Sequence, residues 1–165
     1  MRLLSITNEV VREVAPASFI VVGGLASEQH RGLSDEQTMD ILYGYGAAPC
    51  IDIFAFHPYG FQNRFAEARQ LVQDVLDAHD DGDKPVWCNE YGWTDQASMD
   101  LAQNPTVESN PMLTAFDQKD VADAFFWFSA KDYSSQLGTP TFGLADFNLN
   151  RRPSFATFQY ATGVR

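Results

Sequence analysis

The sequence is poor in the residues that build metal sites and disulfides, since its 165 residues include only two cysteines and three histidines. Cys50 and Cys88 belong to no Cys-x-x-Cys pair and to no Cys/His cluster, which argues against a zinc site. A disulfide between them would need a favourable register of two strands, so two buried thiols are the simpler interpretation. We expect neither a metal ion nor a cofactor.

Basic residues are also scarce, because 11 Lys and Arg stand against 22 Asp and Glu and give a net charge of −11. Such a chain repels the phosphates of nucleic acids and the surfaces of anionic membranes. It also lacks an apolar run of about eighteen residues that would predict a membrane-spanning helix. We therefore expect no nucleic acid and no membrane as partner. A neutral ligand such as a saccharide fits this charge, as do many other uncharged molecules.

Nucleotide-binding motifs are missing as well. The sequence has no Gly-x-Gly-x-x-Gly and no Walker motif, and Gly23-Gly24 alone is too short a signal for either. An open sheet that binds a nucleotide or a flavin is thus a weaker alternative, which a yellow colour of the protein would revive.

The patterns that are present alternate between helix and strand. Apolar residues recur at helical spacing over residues 3–14 and over about 61–79. Ser34 and Gln37 form a capping box, which predicts a helix from there to about residue 45. Pro153 begins a last short helix, to about residue 161. Four apolar segments predict buried parallel strands, at residues 19–22, 51–56, 85–90 and 121–128.

This order, a helix followed by four strand–helix repeats, predicts an α/β fold with a parallel sheet and right-handed crossovers. The least regular stretch is 95–118, where Pro105 and Pro111 predict short helical pieces. No linker divides the sequence, so we expect residues 1–165 to form a single domain.

Polar and aromatic residues gather where the predicted strands end, which is where parallel α/β folds bind their ligands. His57 and Tyr59 follow the second strand, and Glu90 ends the third strand, with Trp93 shortly after it. Trp127 lies at the end of the fourth strand. These five residues are the candidate site.

The segment Lys-Pro-Val-Trp-Cys-Asn-Glu-Tyr-Gly-Trp, residues 84–93, resembles strand seven of the retaining (β/α)₈-barrel glycoside hydrolases, the clan of cellulases, xylosidases and galactanases. Residues 51–59 resemble strand six, and Trp127 resembles the tryptophan of strand eight. Residues 14–24 resemble the entry to strand five, and residues 143–155 resemble the chain ending. The ordered set spans nearly the whole chain and implies a parallel (βα)₄ half of a TIM barrel, strands five to eight.

The resemblance also implies roles for the candidate residues. Glu90 would be the catalytic nucleophile, and His57 and Tyr59 would bind substrate and donate hydrogen bonds that keep Glu90 ionised. Trp127 and Trp93 would offer apolar faces to a sugar ring. Simpler roles stay open: a solvated carboxylate or helix N-cap for Glu90, a strand cap for His57, and packing for the three aromatic residues.

Two further expectations concern neighbouring positions. Asn89 alternates away from Glu90 along the strand, so we expect it to have a structural role. The family also predicts a cis peptide bond between Trp127 and Phe128, at a cost of roughly 3 kcal/mol.

The acid/base glutamate of the family is missing from this pattern. It belongs to an Asn-Glu pair on strand four, whereas Asn8-Glu9 lies within a predicted helix and Glu28 merely follows a strand. We therefore expect a nucleophile-bearing half of a β-glycosidase, whose own activity is left open. It would need self-association or a missing N-terminal half. The alternative is a non-catalytic carbohydrate-binding or assembly module derived from such a barrel. Localisation is open, and extracellular if a longer parent protein carries a signal peptide.

Overall fold

The computed structural model describes residues 2–26, 33–59, 65–93, 100–107, 109–133 and 141–164. Within these ranges helices and strands alternate, as the α/β fold requires. The helices are α1 (Arg2–Val14), α2 (Asp35–Gly44), α3 (Phe65–Ala78), α4 (Pro111–Asp117) and α5 (Pro153–Thr162). The strands are β1 (Leu25–Ala26), β2 (Phe54–His57), β3 (Val86–Tyr91) and β4 (Ala124–Trp127). No helix in the described ranges is long and apolar enough to cross a membrane.

The contacts between residues divide the chain into two compact units. The first comprises Met1–Asn89 and Ala122–Ala124, and the second comprises Glu90–Val121 and Phe125–Arg165. The single domain expected from the sequence stays a prediction.

The first unit contains the parallel pairing that the sequence predicts. β1 pairs with β2, with Leu25 opposite Phe56, and β2 pairs with β3, with Phe54 opposite Val86. The strands of the sheet follow the order β1-β2-β3-β4. Of β4, only its first residue, Ala124, belongs to the first unit. Consecutive parallel neighbours of this kind are the arrangement expected for part of a barrel.

The first strand lies later in the chain than predicted. Residues 19–22 contribute a single bridge, between Val21 and Ile53, whereas the paired strand is Leu25–Ala26. The backbone of Ile20 lies against Asp52 and Ile53, whose N–H groups both donate to its carbonyl oxygen. The prediction of a strand over 19–22 is therefore wrong in its bounds, because the pairing moves beyond Gly23-Gly24.

The core of the first unit is formed by β2 and the helices that cover it. Phe54 and Phe56 on β2 are buried with Leu76 on α3 and Met39 on α2. The capping box that begins α2 is confirmed, since Gln37 N–H donates to the Ser34 hydroxyl and Ser34 N–H donates to the Gln37 side chain.

Both cysteines are consistent with the simpler interpretation. Cys50 and Cys88 are buried, and no disulfide joins them. The prediction of two buried thiols is therefore confirmed.

The second unit has its own small core. Met112 and Leu144 are buried at its centre. Asn110 caps the start of α4 by accepting hydrogen bonds from the N–H groups of Met112 and Leu113. Partly buried aromatic side chains surround this centre: Trp93, Phe116, Trp127, Phe155 and Phe158.

Candidate functional site

The polar end of β2 carries two of the predicted site residues. His57 is the last residue of β2, and Tyr59 follows two positions later. Both side chains are half-buried, and their rings meet edge to face with centroids 6.2 Å apart and an interplanar angle of 84°. The end of β2 thus carries two neighbouring aromatic side chains, each with polar atoms, in the first unit.

Gly24, His57 and Asn89 converge at the same end of the sheet. A methyl group on Gly24 would lie 1.9 Å from Nε2 of His57 and 2.3 Å from Oδ1 of Asn89. Both atoms therefore lie within 2.3 Å of one point, although they come from different strands. Gly24 is required here by space, because any larger residue would push the imidazole and the amide away.

The carbonyl oxygen of the Asn89 side chain is the unusual atom of this group. Oδ1 is buried and has no hydrogen-bond partner in the part of the chain that the structure describes. Buried acceptors are nearly always paired, so an unpaired one calls for an explanation. Sequence reasoning assigned Asn89 a structural role, and no pattern in the sequence indicated that its side chain would meet His57.

Glu90 belongs to the second unit and is the penultimate residue of β3, where it is half-buried. The chain just beyond it runs close to the end of β4. Phe128 N–H donates to the carbonyl oxygen of Tyr91 at 2.7 Å, and a methyl group on Gly92 would lie 1.9 Å from the carbonyl oxygen of Phe128. The carboxylate thus lies at the carboxyl end of a parallel strand, as expected from the sequence.

The two predicted sugar-binding tryptophans both pack within the second unit. Trp127 meets Tyr91 edge to face, with ring centroids 5.8 Å apart, and both Trp127 and Trp93 lie against the cluster centred on Met112 and Leu144. These contacts bury part of both tryptophan rings. Their role in sugar binding stays a prediction.

The cis peptide bond of this region joins Phe128 to Ser129, so the prediction of a cis bond between Trp127 and Phe128 is wrong. Phe128 still continues the path of β4, because its N–H donates to the carbonyl oxygen of Tyr91. The chain turns one residue later, where Ser129 N–H donates to the carbonyl oxygen of Phe142.

Two other carboxylates were singled out from the sequence, Glu9 and Glu28. Glu9 lies on α1 and is exposed, and Glu28 lies outside the described residues. In the described ranges, no group of three His, Cys, Asp or Glu side chains is placed to hold a metal ion.

The sequence matches a family model described as glycosyl hydrolase catalytic core over residues 39–150. The chain belongs to this family. The resemblance to (β/α)₈-barrel glycoside hydrolases that the sequence motifs indicated is thereby confirmed. No curated protein sequence matches the chain.

One solved structure shares the fold. A monomeric beta-xylosidase from Caulobacter crescentus CB15 superposes with a TM-score of 0.65 at 14% identity, over 99% of this chain and 37% of that protein. Two others match with lower scores. A GH5_18 protein from Bifidobacterium longum subsp. infantis has a TM-score of 0.44 at 21% identity, over 68% of this chain and 30% of that one. An endo-1,4-beta-mannanase from Rhizomucor miehei has 0.43 at 19% identity, over 94% and 45%.

The chain thus spans less than half the length of each of these three proteins. The likeness to the xylosidase shows a shared fold, and the chain corresponds to part of a barrel. The α/β fold predicted from the sequence, a partial TIM barrel, is confirmed.

Proposed function

We propose that this chain is the nucleophile-bearing part of a retaining glycoside hydrolase that acts on β-linked saccharides. One observation carries the proposal: in a member of the glycosyl hydrolase catalytic core family, Glu90 lies at the carboxyl end of a parallel strand. Barrel enzymes place their reacting groups at this end of their strands.

The chemistry assigns Glu90 the attack on the anomeric carbon, which forms a covalent glycosyl-enzyme intermediate. The leaving oxygen must take a proton from a second carboxylic acid about 5–5.5 Å from the nucleophile. In this proposal that acid comes from a second copy of the chain. His57 and Tyr59 bind the sugar, and Trp127 and Trp93 contribute apolar surface.

A second candidate function is a carbohydrate-binding or assembly module that has kept the fold and lost catalysis. The observation in its favour is the position of Glu9, whose Asn-Glu pair resembles that of the family acid. Glu9 is exposed on helix α1 rather than placed at a strand end. Such a module would bind saccharides and release no product.

The two functions are separated by hydrolysis of aryl β-glycosides and β-glucans, measured for the wild-type protein, for Glu90→Gln and for Glu13→Gln. Glu13 is exposed on α1 and is the matched control. We expect turnover by the wild type and the control, and a loss on the order of 10⁴-fold or more in Glu90→Gln, as for other enzymes that lose their nucleophile. A 2-deoxy-2-fluoro aryl glycoside should add the mass of the sugar to the peptide that contains Glu90.

Turnover that persists in Glu90→Gln would contradict the nucleophile role. If the folded wild type binds saccharides and shows no turnover, the binding module is the better description. Labelling of a different carboxylate would reassign the nucleophile within the same reaction class.

A further inference from the structure

We propose that Asn89 is a saccharide-binding residue whose Oδ1 atom accepts a hydrogen bond from a sugar hydroxyl, in a polar cluster formed by Gly24, His57 and Asn89. The inference deepens the proposed function and rests on it for the class of ligand. It assigns Asn89 a role in contact with the substrate in place of the structural role expected from the sequence.

The geometry supplies the first step. Nε2 of His57 and Oδ1 of Asn89 lie 1.9 and 2.3 Å from the point that a Gly24 side chain would occupy. The two atoms are thus near neighbours, and the absence of a side chain at Gly24 lets both side chains occupy this space. His57 and Asn89 lie at or near the carboxyl ends of β2 and β3, where ligands bind in parallel α/β folds.

The state of Oδ1 supplies the second step. This oxygen is buried and lacks a hydrogen-bond partner in the described part of the protein. Burial of an unpaired acceptor costs free energy, and a ligand that donates a hydrogen bond removes that cost. Sites built in this way reject analogues without the donor, because the buried polar group is then left unpaired.

The chemistry of the two side chains selects the kind of donor. An amide oxygen is neutral and only accepts, whereas a ring nitrogen of histidine donates or accepts according to the tautomer. A hydroxyl group can donate a hydrogen bond to Oδ1 of Asn89. A dianionic phosphate has no proton to donate, and the net charge of −11 repels it. A neutral sugar hydroxyl therefore fits this cluster.

The test is saccharide binding by calorimetry, with xylobiose, cellobiose and mannobiose as probes. The Glu90→Gln background prevents turnover. Asn89→Ala should raise the Kd of the best-bound probe about tenfold, equivalent to about 1.4 kcal/mol. Asn89→Asp keeps an acceptor and should stay within about threefold of the parent. Asn148→Ala, a change at an exposed asparagine, is the matched control and should leave Kd unchanged.

The unfolding temperature separates binding from a structural role. Loss of an unpaired buried acceptor should leave this temperature unchanged or raise it, whereas loss of a structural asparagine should lower it. The methyl group of Gly24→Ala would displace the side chains of His57 and Asn89, and this variant should weaken binding as well. An Asn89→Ala protein that binds like Asn148→Ala would overturn the proposal. So would a folded parent protein that binds none of the three probes.

The outcomes also keep this proposal apart from the proposed function. Binding that depends on Asn89 without any hydrolysis by the wild type supports the role of Asn89 and rejects the hydrolase. Hydrolysis that depends on Glu90, with binding that ignores Asn89, supports the hydrolase and rejects the role of Asn89.

Discussion

At the scale of single residues, close packing against Phe128 explains why residue 92, just after Glu90, is a glycine. A methyl group at this position would lie 1.9 Å from the carbonyl oxygen of Phe128, a backbone atom that is itself tied to Tyr91 by a hydrogen bond. The backbone cannot retreat without breaking that contact. The aromatic-Gly-Trp pattern seen in the sequence is therefore a packing requirement at the ends of β3 and β4.

We predict that Gly92→Ala lowers the free energy of unfolding by about 2 kcal/mol or more, because overpacked sites force backbone shifts of this cost. Gly23→Ala is the matched control, since nothing lies within 4 Å of the added methyl group there. Urea denaturation of both variants measures the difference. Equal stability of the two variants would show that the ends of β3 and β4 tolerate a side chain between them.

The residues of the candidate site were predictable only in part. Glu90, His57 and Tyr59 follow apolar segments, so their positions at strand ends could be inferred from the chain itself. The meeting of Gly24, His57 and Asn89 could not, because it depends on the register between three strands. The alternation of side chains along a strand predicts that Asn89 faces away from Glu90. It does not predict which residues of other segments the Asn89 side chain meets.

At the scale of elements, α1 depends on polar contacts more than on burial. The helix has no buried residue, yet Arg12 near its end donates to both carboxylate oxygens of Asp52 at 2.7 Å and to the carbonyl oxygen of Ser18. Asp52 also accepts from Ile20 N–H. One carboxylate thus joins the helix to the segment that leads towards β1.

We predict that Asp52→Asn destabilises the protein at pH 7, and that this destabilisation becomes smaller at pH 3. The hydrogen bond from Arg12 outweighs burial and holds the pKa of Asp52 below its ordinary value, with further help from Ile20 N–H. A carboxyl with a lowered folded-state pKa stabilises the fold above its unfolded pKa of about 3.9, and this contribution is lost as the pH falls through the folded pKa. The effect at pH 7 should be about 1 kcal/mol, because both side chains are partly exposed.

The measurement is denaturation at both pH values, together with amide hydrogen exchange in α1, which should speed up in the variant at pH 7. Asp120→Asn is the control, since Asp120 is 87% exposed and pairs only with its neighbour Lys119 among the ion pairs of the described residues. A stability difference of the same size at pH 3 would contradict the electrostatic explanation.

The elements themselves were predicted well where the signal is local. The capping box of α2 involves four consecutive residues and was correct in every contact. The first strand was misplaced because β-branched residues at 19–22 indicate a strand equally well, whereas the partner β2 decides which residues pair. The cis bond was misplaced by one residue, since it joins Phe128 to Ser129.

At the scale of the whole molecule, the family was predictable because several weak motifs occur in the right order, and the match over residues 39–150 confirms it. The source of the acid is a different kind of question. Under the proposed function the acid that acts with Glu90 comes from a second copy, and the sequence of one chain does not encode directly which chains meet.

An apolar face on α1 makes self-association the expected behaviour. Leu3, Ile6, Val10 and Val14 are spaced by three or four residues and are 80%, 46%, 49% and 70% exposed. Residues at this spacing share one side of a helix, and contiguous exposed apolar surface marks sites of protein contact. We propose that a second copy covers this face.

Sedimentation velocity over a wide range of concentrations should then show a rising mass for the wild type. The double variant Leu3→Lys and Val10→Lys should stay monomeric, because two charges on the apolar face oppose its burial. Val164→Lys, at a residue that is 59% exposed near the other end of the chain, should associate like the wild type. A wild type that is monomeric throughout would mean that no second copy covers α1. Hydrolysis dependent on Glu90 by such a monomer would mean that the acid comes from the same chain.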